Sequence, residues 1–179
     1  MDKKSELDKN LSKMEPEVKQ LSEFLTEFNK ESDRGAVLIA AAVLDDKLGE
    51  ILGAFFANVP ENEELLNGFN APLGTFSAKI SAAYCMGLIQ ENEFREINII
   101  RRIRNEFGHS WKNVDFHTSK IVQLSNQLPW LGPEKFKINP NSRERFNFEI
   151  AILLSDLLWR TRLVRKVKCK IRNWPNTSR

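Results

Sequence analysis

Residues 104–109 contain the side-chain types that could cleave RNA without a metal ion. The guanidinium of Arg104 could hold a phosphate through two parallel hydrogen bonds. The imidazole of His109 titrates near neutral pH, so it could pass a proton to or from a ribose or leaving oxygen. Asn105 adds a polar group beside them. Arg104, Asn105 and His109 are therefore the candidate catalytic residues if the protein is a ribonuclease.

The same segment also has a structural interpretation. Arg104 lies on a helical stripe with Ile100 and Phe107, so its charge is predicted to point toward the packed side, where it would need a partner. Asp45 is the expected partner, because it lies within the apolar stripe of another predicted helix. In this interpretation Arg104 and Asp45 form a buried ion pair, and His109 is a favourable cation at the end of its helix.

Residues 31–35 are a second candidate site, because the N-terminus of a helix attracts anions and Arg34 could add positive charge there. Asp33 would repel the same anion, and Ser32 is a good residue to cap the helix. Anion binding and helix capping are therefore both open at this segment. The candidate binding residues are Arg34, Asp45 and Arg101.

The end of the chain is strongly basic. Residues 157–179 contain 8 Lys and Arg residues and no acidic residue, which leaves 19 of the 27 basic residues against all 24 acidic residues elsewhere, a net charge of −5. Basic side chains interleaved with Trp159 and Trp174 would suit single-stranded nucleic acid, through phosphate neutralisation and base stacking. Alternatively, the cations stabilise a helix C-terminus and Trp159 packs near the core. The candidate nucleic-acid-binding residues are Arg165, Lys166, Lys168, Lys170 and Arg172.

The elements that position these residues are predicted to be helices throughout. Apolar residues recur at spacings of three and four, and no alternating run is long enough to indicate a strand. Long helices joined by irregular turns are typical of an antiparallel bundle, so we predict an all-α fold with a long central helix and a long C-terminal helix. The predicted organisation is a charged N-terminal arm at 1–14, a single helical domain at 15–172 and a C-terminal tail at 173–179.

Local signals predict where the helices begin and end. Ser32 is predicted to cap the central helix, whose apolar stripe continues for about six turns. Gly108 is predicted to end a different helix, the one that contains Arg104. Ser142 is predicted to cap a last helix that continues to Val164. Residues 126–141 contain three prolines and are predicted to form an irregular connection.

Composition narrows the functional classes. The longest apolar stretch is far shorter than a membrane span. The first thirty residues are rich in charge rather than apolar, so they are not expected to form a signal sequence. We therefore expect a cytoplasmic protein that does not enter a membrane. Two distant cysteines and two histidines match no metal-binding pattern, so neither a metal nor another cofactor is expected. The sequence contains none of the common enzyme motifs, so an enzyme is not the favoured function. A metal-independent ribonuclease is the leading alternative among enzymes.

Four segments of the sequence resemble the mannitol operon repressor-like (MltR-like) family of bacterial proteins. They are Glu31-Ser-Asp-Arg-Gly, Ala40-Ala-Ala-Val-Leu-Asp-Asp, Pro72-Leu-Gly-Thr-Phe-Ser-Ala-Lys and Ile103-Arg-Asn-Glu-Phe-Gly-His. The resemblance implies an all-helical transcription regulator that lacks an evident DNA-reading module and acts through protein contacts. A protein partner is therefore expected.

The spacing of Arg104, Asn105 and His109 also resembles the signature of HEPN domains, which are helical bundles that include metal-independent ribonucleases. This resemblance implies that Arg104 and His109 are the catalytic pair and that Asn105 is the adjacent polar residue. HEPN domains usually dimerise, and many are non-catalytic binding modules. A homodimer and an RNA partner are therefore both open alternatives.

Overall fold

A computed structural model describes residues 15–111, 113–130 and 140–175 of the chain. Over these residues it contains no strand and eight helices, which confirms the all-α prediction: α1 (Pro16–Phe28), α2 (Asp33–Phe55), α3 (Glu61–Asn67), α4 (Phe76–Cys85), α5 (Glu91–His109), α6 (Ser119–Ser125), α7 (Ser142–Asp156) and α8 (Arg160–Arg165). No helix in the described ranges is both long enough and apolar enough to cross a bilayer. The predicted N-terminal arm at 1–14 lies outside the described residues, as does 176–179 of the predicted tail.

The central helix α2 packs against α1, α3, α4, α5, α7 and α8. Its buried residues include Val37, Leu44, Leu48 and Ile51, which continue the predicted stripe through the core. Ser32 caps the helix as predicted, because its hydroxyl accepts a hydrogen bond from the backbone N–H of Gly35 at 3.1 Å. Because α2 is held by contacts with six other helices, the polar groups at both of its ends have fixed positions.

Helices α2 and α5 run in opposite directions. Arg34, at the start of α2, donates hydrogen bonds to the backbone carbonyls of Phe107 and Ser110, at the end of α5. The prediction that Gly108 ends α5 is wrong, since the helix continues to His109. The Arg34 guanidinium satisfies carbonyl groups that a left-handed glycine would otherwise help to cap, and Gly108 does not have a positive φ.

The C-terminal helix is broken into α7 and α8, so the prediction of one helix from Ser142 to Val164 is wrong. The Ser155 hydroxyl donates to the carbonyl of Ala151 at 2.7 Å, a contact that competes with the helix backbone and favours a bend. The chain then turns at residues 157–159 and begins α8. The N-terminal cap of α7 is Asn141 rather than Ser142, because its side chain accepts from the backbone N–H three residues later.

Candidate functional site

Arg104 does not pair with Asp45, and its side chain is exposed rather than directed into the core. Its Nη1 donates to Oδ1 of Asn105 at 3.2 Å. Asp45 pairs instead with Lys79, whose Nζ lies 2.9 Å from Asp45 Oδ1 and whose residue is only 7% exposed. The prediction of an Arg104–Asp45 pair is therefore wrong, because helix α4 packs on α2 and brings Lys79 to the position expected for Arg104.

The structure brings Arg104 and Asn105 together but does not join His109 to them. Five residues along an α-helix correspond to about 140° around its axis, so Arg104 and His109 leave the helix in different directions. His109 is exposed and makes no hydrogen bond or ion pair with any residue that the structure describes. In one chain the candidate catalytic residues are accessible but do not form a contiguous cluster, and their catalytic role stays a prediction.

Accessible apolar and basic residues lie near the junction of α2 and α5. The bonds from Arg34 to the end of α5 place the start of α2 beside that end, and Leu38 follows Arg34 by one helical turn. Trp111, just beyond α5, is 90% exposed, and Leu38 is also exposed. We use the name end surface for the accessible residues near this junction taken together: Leu38, Arg101, Arg104, His109 and Trp111. Arg101 is half-buried, and its Nε donates to Oδ1 of the Asn98 side chain at 3.3 Å.

The polar groups at the start of α2 hold helices together. Asp33 accepts hydrogen bonds from Arg143 Nη1 at 2.8 Å and from the backbone N–H of Phe116 at 3.1 Å. The Arg143 guanidinium also lies 5.4 Å from the centroid of the Phe116 ring, within the range of a cation–π interaction. Arg34 caps α5, and Ser32 caps α2. Of the two interpretations of residues 31–35, helix capping is confirmed, and the side chains of Asp33 and Arg34 bond to the protein itself.

The candidate nucleic-acid-binding residues lie in and after α8. Arg165, Lys166, Lys170 and Arg172 are exposed, Lys168 is half-buried, and none of the five takes part in an ion pair among the described residues. Trp159, expected to stack on bases or pack near the core, donates its Nε1–H to Glu15 at 3.0 Å and is partly exposed. Large apolar side chains are exposed among these cations: Leu163, Val167, Ile171 and Trp174. The segment is therefore basic and apolar at once.

A set of buried carboxylates between α5 and α7 was not predicted from the sequence. Glu149 is fully buried, and no described residue donates a hydrogen bond to its ionised carboxylate, whereas its protonated form can donate to the carboxylate of Glu96. Burial, reinforced by the neighbouring Glu96 and Asp156, raises the pKa of Glu149 to about 8. The spacing of Phe146, Glu149 and Leu153 on one helical stripe is a signal that could have revealed it.

Burial and the charges of Glu93 and Asp156 also raise the pKa of Glu96. Glu93, 2% exposed, is neutralised by Arg160, which reaches it with two hydrogen bonds of 2.7 and 3.1 Å. Within the described ranges no group of three acidic, histidine or cysteine residues has the arrangement of a metal site. The carboxylates therefore form an interior electrostatic network.

Comparisons with known proteins find a solved structure with a similar fold. No family model matches the sequence, and no curated protein matches it. The X-ray structure of the MtlR–HPr complex from Escherichia coli contains a similar chain, with a TM-score of 0.53 and 18% sequence identity, over 83% of this chain and 98% of that chain. The comparisons do not support the HEPN resemblance. They support the resemblance to mannitol operon repressors at the level of fold, and this chain has an MtlR-like helical fold.

Proposed function

We propose that this protein is a regulator that acts by binding another protein, and that its partner is an HPr-type protein. The observation that carries the proposal is the fold similarity to MtlR, a mannitol operon repressor whose structure contains HPr as its partner. Regulation of transcription would then follow from the protein contact rather than from direct reading of DNA.

The end surface is the proposed docking site. Tryptophan and arginine are enriched among the residues that dominate binding energy at protein interfaces, and this surface presents both. Trp111 offers a large exposed ring, Leu38 adds apolar area, and Arg104 supplies a guanidinium that donates a hydrogen bond to its own neighbour Asn105. Arg34 holds the two helices that carry these residues in a fixed relation. A rigid scaffold of this kind limits the entropy that would be lost on binding.

Calorimetric titration of the full chain with HPr from the same organism tests the proposal. We expect binding by the wild type and a loss of at least about tenfold in affinity for Trp111→Ala, because truncating a central interface aromatic commonly costs 2 kcal/mol or more. Arg104→Ala should weaken binding as well. Trp174→Ala is the matched control, since Trp174 is also exposed but lies in the C-terminal segment.

Two results would contradict different parts of the proposal. No heat of binding with HPr at about 100 μM would exclude even a weak complex of the kind proposed. Equal losses for Trp111→Ala and Trp174→Ala would remove the end surface as the docking site while leaving the partner in place. Circular dichroism of each variant would establish that the helices are intact.

The ribonuclease alternative rests on the exposed Arg104 and His109 and the half-buried Asn105. Under the regulator proposal, labelled RNA incubated with the protein in EDTA stays intact, because no described cluster joins an acid–base group to a phosphate-binding group. Cleavage that disappears in His109→Ala, with that variant still folded, would favour the ribonuclease instead. Cleavage that survives in His109→Ala would indicate a contaminating nuclease and leave the regulator proposal standing.

A further inference from the structure

Helix α3 and the loop after it form an acidic and apolar projection. Glu61, Glu63 and Glu64 are exposed, and none of them takes part in an ion pair among the described residues. Leu65 is exposed on the same short helix, and Phe69, in the following turn, is 99% exposed. We call these five residues the acidic knob. A solvated acidic helix does not require a fully exposed phenylalanine, so the knob has the composition of a contact surface.

Residues 163–174 have the opposite charge and the same apolar character. Five cations in this basic segment lack an acidic partner among the described residues, and Ile171 and Trp174 are 77% and 72% exposed. The nearby Glu50 does not neutralise the segment, because its carboxylate pairs with Lys47 at 2.8 Å. Knob and segment thus complement each other in charge, and both expose large apolar side chains.

The two surfaces lie at the same end of the bundle without neutralising each other. Asn62, in α3, donates its side-chain N–H to the carbonyl of Gly53 at 3.2 Å. The backbone N–H of Cys169, in the basic segment, donates to the carbonyl of Phe55 at 2.7 Å. The last turn of α2 therefore anchors both surfaces, yet no ion pair joins them within the described part of the chain.

We propose that a second copy of this chain covers both surfaces, with the acidic knob of each copy on the basic segment of the other. Since both surfaces adjoin the end of α2, a two-fold axis near that point makes the contact reciprocal and closes the assembly as a dimer. Each dimer then contains two copies of the contact, each pairing three acidic with five basic side chains. Neighbouring apolar groups are removed from water at the same time.

Nucleic acid is the competing occupant of the basic segment. It would satisfy the cations, but it would leave Leu163, Val167 and Ile171 without a role, because aliphatic side chains do not stack on bases as aromatic rings do. It would also leave the acidic knob uncovered. A second copy accounts for the cations, the acids and the exposed apolar groups with one contact, so the observations favour the dimer.

Sedimentation equilibrium of the full chain, together with exchanged charges, tests the dimer. We expect a dimer in about 50 mM salt that shifts toward monomer in about 500 mM salt, because salt screens exposed charges. Glu63→Lys/Glu64→Lys and Lys166→Glu/Lys170→Glu should each be monomeric, with the dissociation constant raised at least tenfold. An equimolar mixture of the two variants should form a heterodimer, because one of its two contacts again joins an unaltered acidic knob to an unaltered basic segment.

The control variant is Glu23→Lys/Asp46→Lys, which reverses two exposed acids away from the knob and should dimerise like the wild type. A wild type that stays monomeric at about 100 μM in low salt would overturn the proposal. So would a variant mixture that fails to dimerise, or a monomeric wild type whose basic segment binds labelled single-stranded RNA or DNA. These measurements do not involve HPr, so their failure is independent of the proposed regulatory partner.

Discussion

Replacing Arg160 with methionine is expected to lower the free energy of unfolding by about 3–5 kcal/mol, because it leaves a buried carboxylate without its cation. Arg160 Nη2 and Nη1 donate to the two oxygens of Glu93 at 2.7 and 3.1 Å, and Nη1 also donates to the carbonyl of Leu88 at 2.7 Å. Glu93 is nearly inaccessible to water, so the solvent cannot replace these bonds. Urea denaturation of the two proteins at one pH measures the difference.

Arg162→Met is the matched control on the same helix. Arg162 also binds acidic side chains, Glu15 at 2.6 Å and Glu17 at 3.2 Å, but Arg162 and Glu15 are about half exposed and Glu17 is also accessible to water. Because water screens accessible charges, a pair of this kind contributes far less to stability than a buried one. If the two methionine variants lost equal stability, burial of the Glu93 charge would not be the cause.

Adding Glu93→Gln to Arg160→Met should recover part of the lost stability. Glutamine carries no charge to bury, and its side-chain oxygen can still accept the bond that the backbone N–H of Gln90 donates to Glu93 at 2.6 Å. A double variant that is less stable than Arg160→Met alone would contradict this explanation. The recovery separates the cost of an unpaired charge from the loss of side-chain packing.

Signals carried by a few neighbouring residues predicted the helices well. The central helix begins after Ser32, as expected from capping chemistry, and its buried residues follow the predicted stripe. The turn before α5 has a local cause of the same kind, since Gly87 has a φ of 68° that favours glycine. Such signals are local, and each one acts within a turn or two of the residue that carries it.

The polar contacts of the candidate site could not be predicted in the same way. Helical spacing placed Arg104 near the packed side, but whether a position is covered depends on which other helix lies over it. Lys79 reaches Asp45 from a separate helix, and Arg34 reaches Phe107 across 73 positions of sequence. Periodicity within one helix carries no information about these distant partners, so residue types were recognised while their partners were not.

The broken C-terminal helix shows the same limit. Apolar spacing continues from Phe146 to Val164, which predicts a single helix. A straight helix is disfavoured because Ser155 competes for a backbone carbonyl, and the turn that results precedes the helix from which Arg160 binds Glu93. The energetic reason for the turn therefore lies partly in α5, 67 positions away in sequence.

Replacing Glu149 with glutamine is expected to remove a fall in stability as the pH rises. Burial, Glu96 and Asp156 raise the pKa of Glu149 from 4.5 to about 8 in the folded protein. Between these values the folded state holds a proton that the unfolded chain has released, so the free energy of unfolding decreases by about 1.4 kcal/mol per pH unit. The stabilisation is complete below the unfolded pKa and is lost as the pH passes through the folded pKa.

Denaturation of wild type and Glu149→Gln at pH 6 and pH 9 measures this effect. The charged groups around Glu149 are Glu96, Glu93, Asp156 and Arg160. The substitution leaves all four in place. A glutamine amide can donate to Glu96 at either pH. The variant should therefore be more stable than the wild type at pH 9, and it should lose less stability than the wild type between pH 6 and pH 9. Glu23→Gln, at an exposed position, should keep the wild-type dependence. An unchanged slope in Glu149→Gln would mean that Glu149 is already ionised at pH 6, which full burial without a hydrogen-bond donor to the carboxylate strongly disfavours.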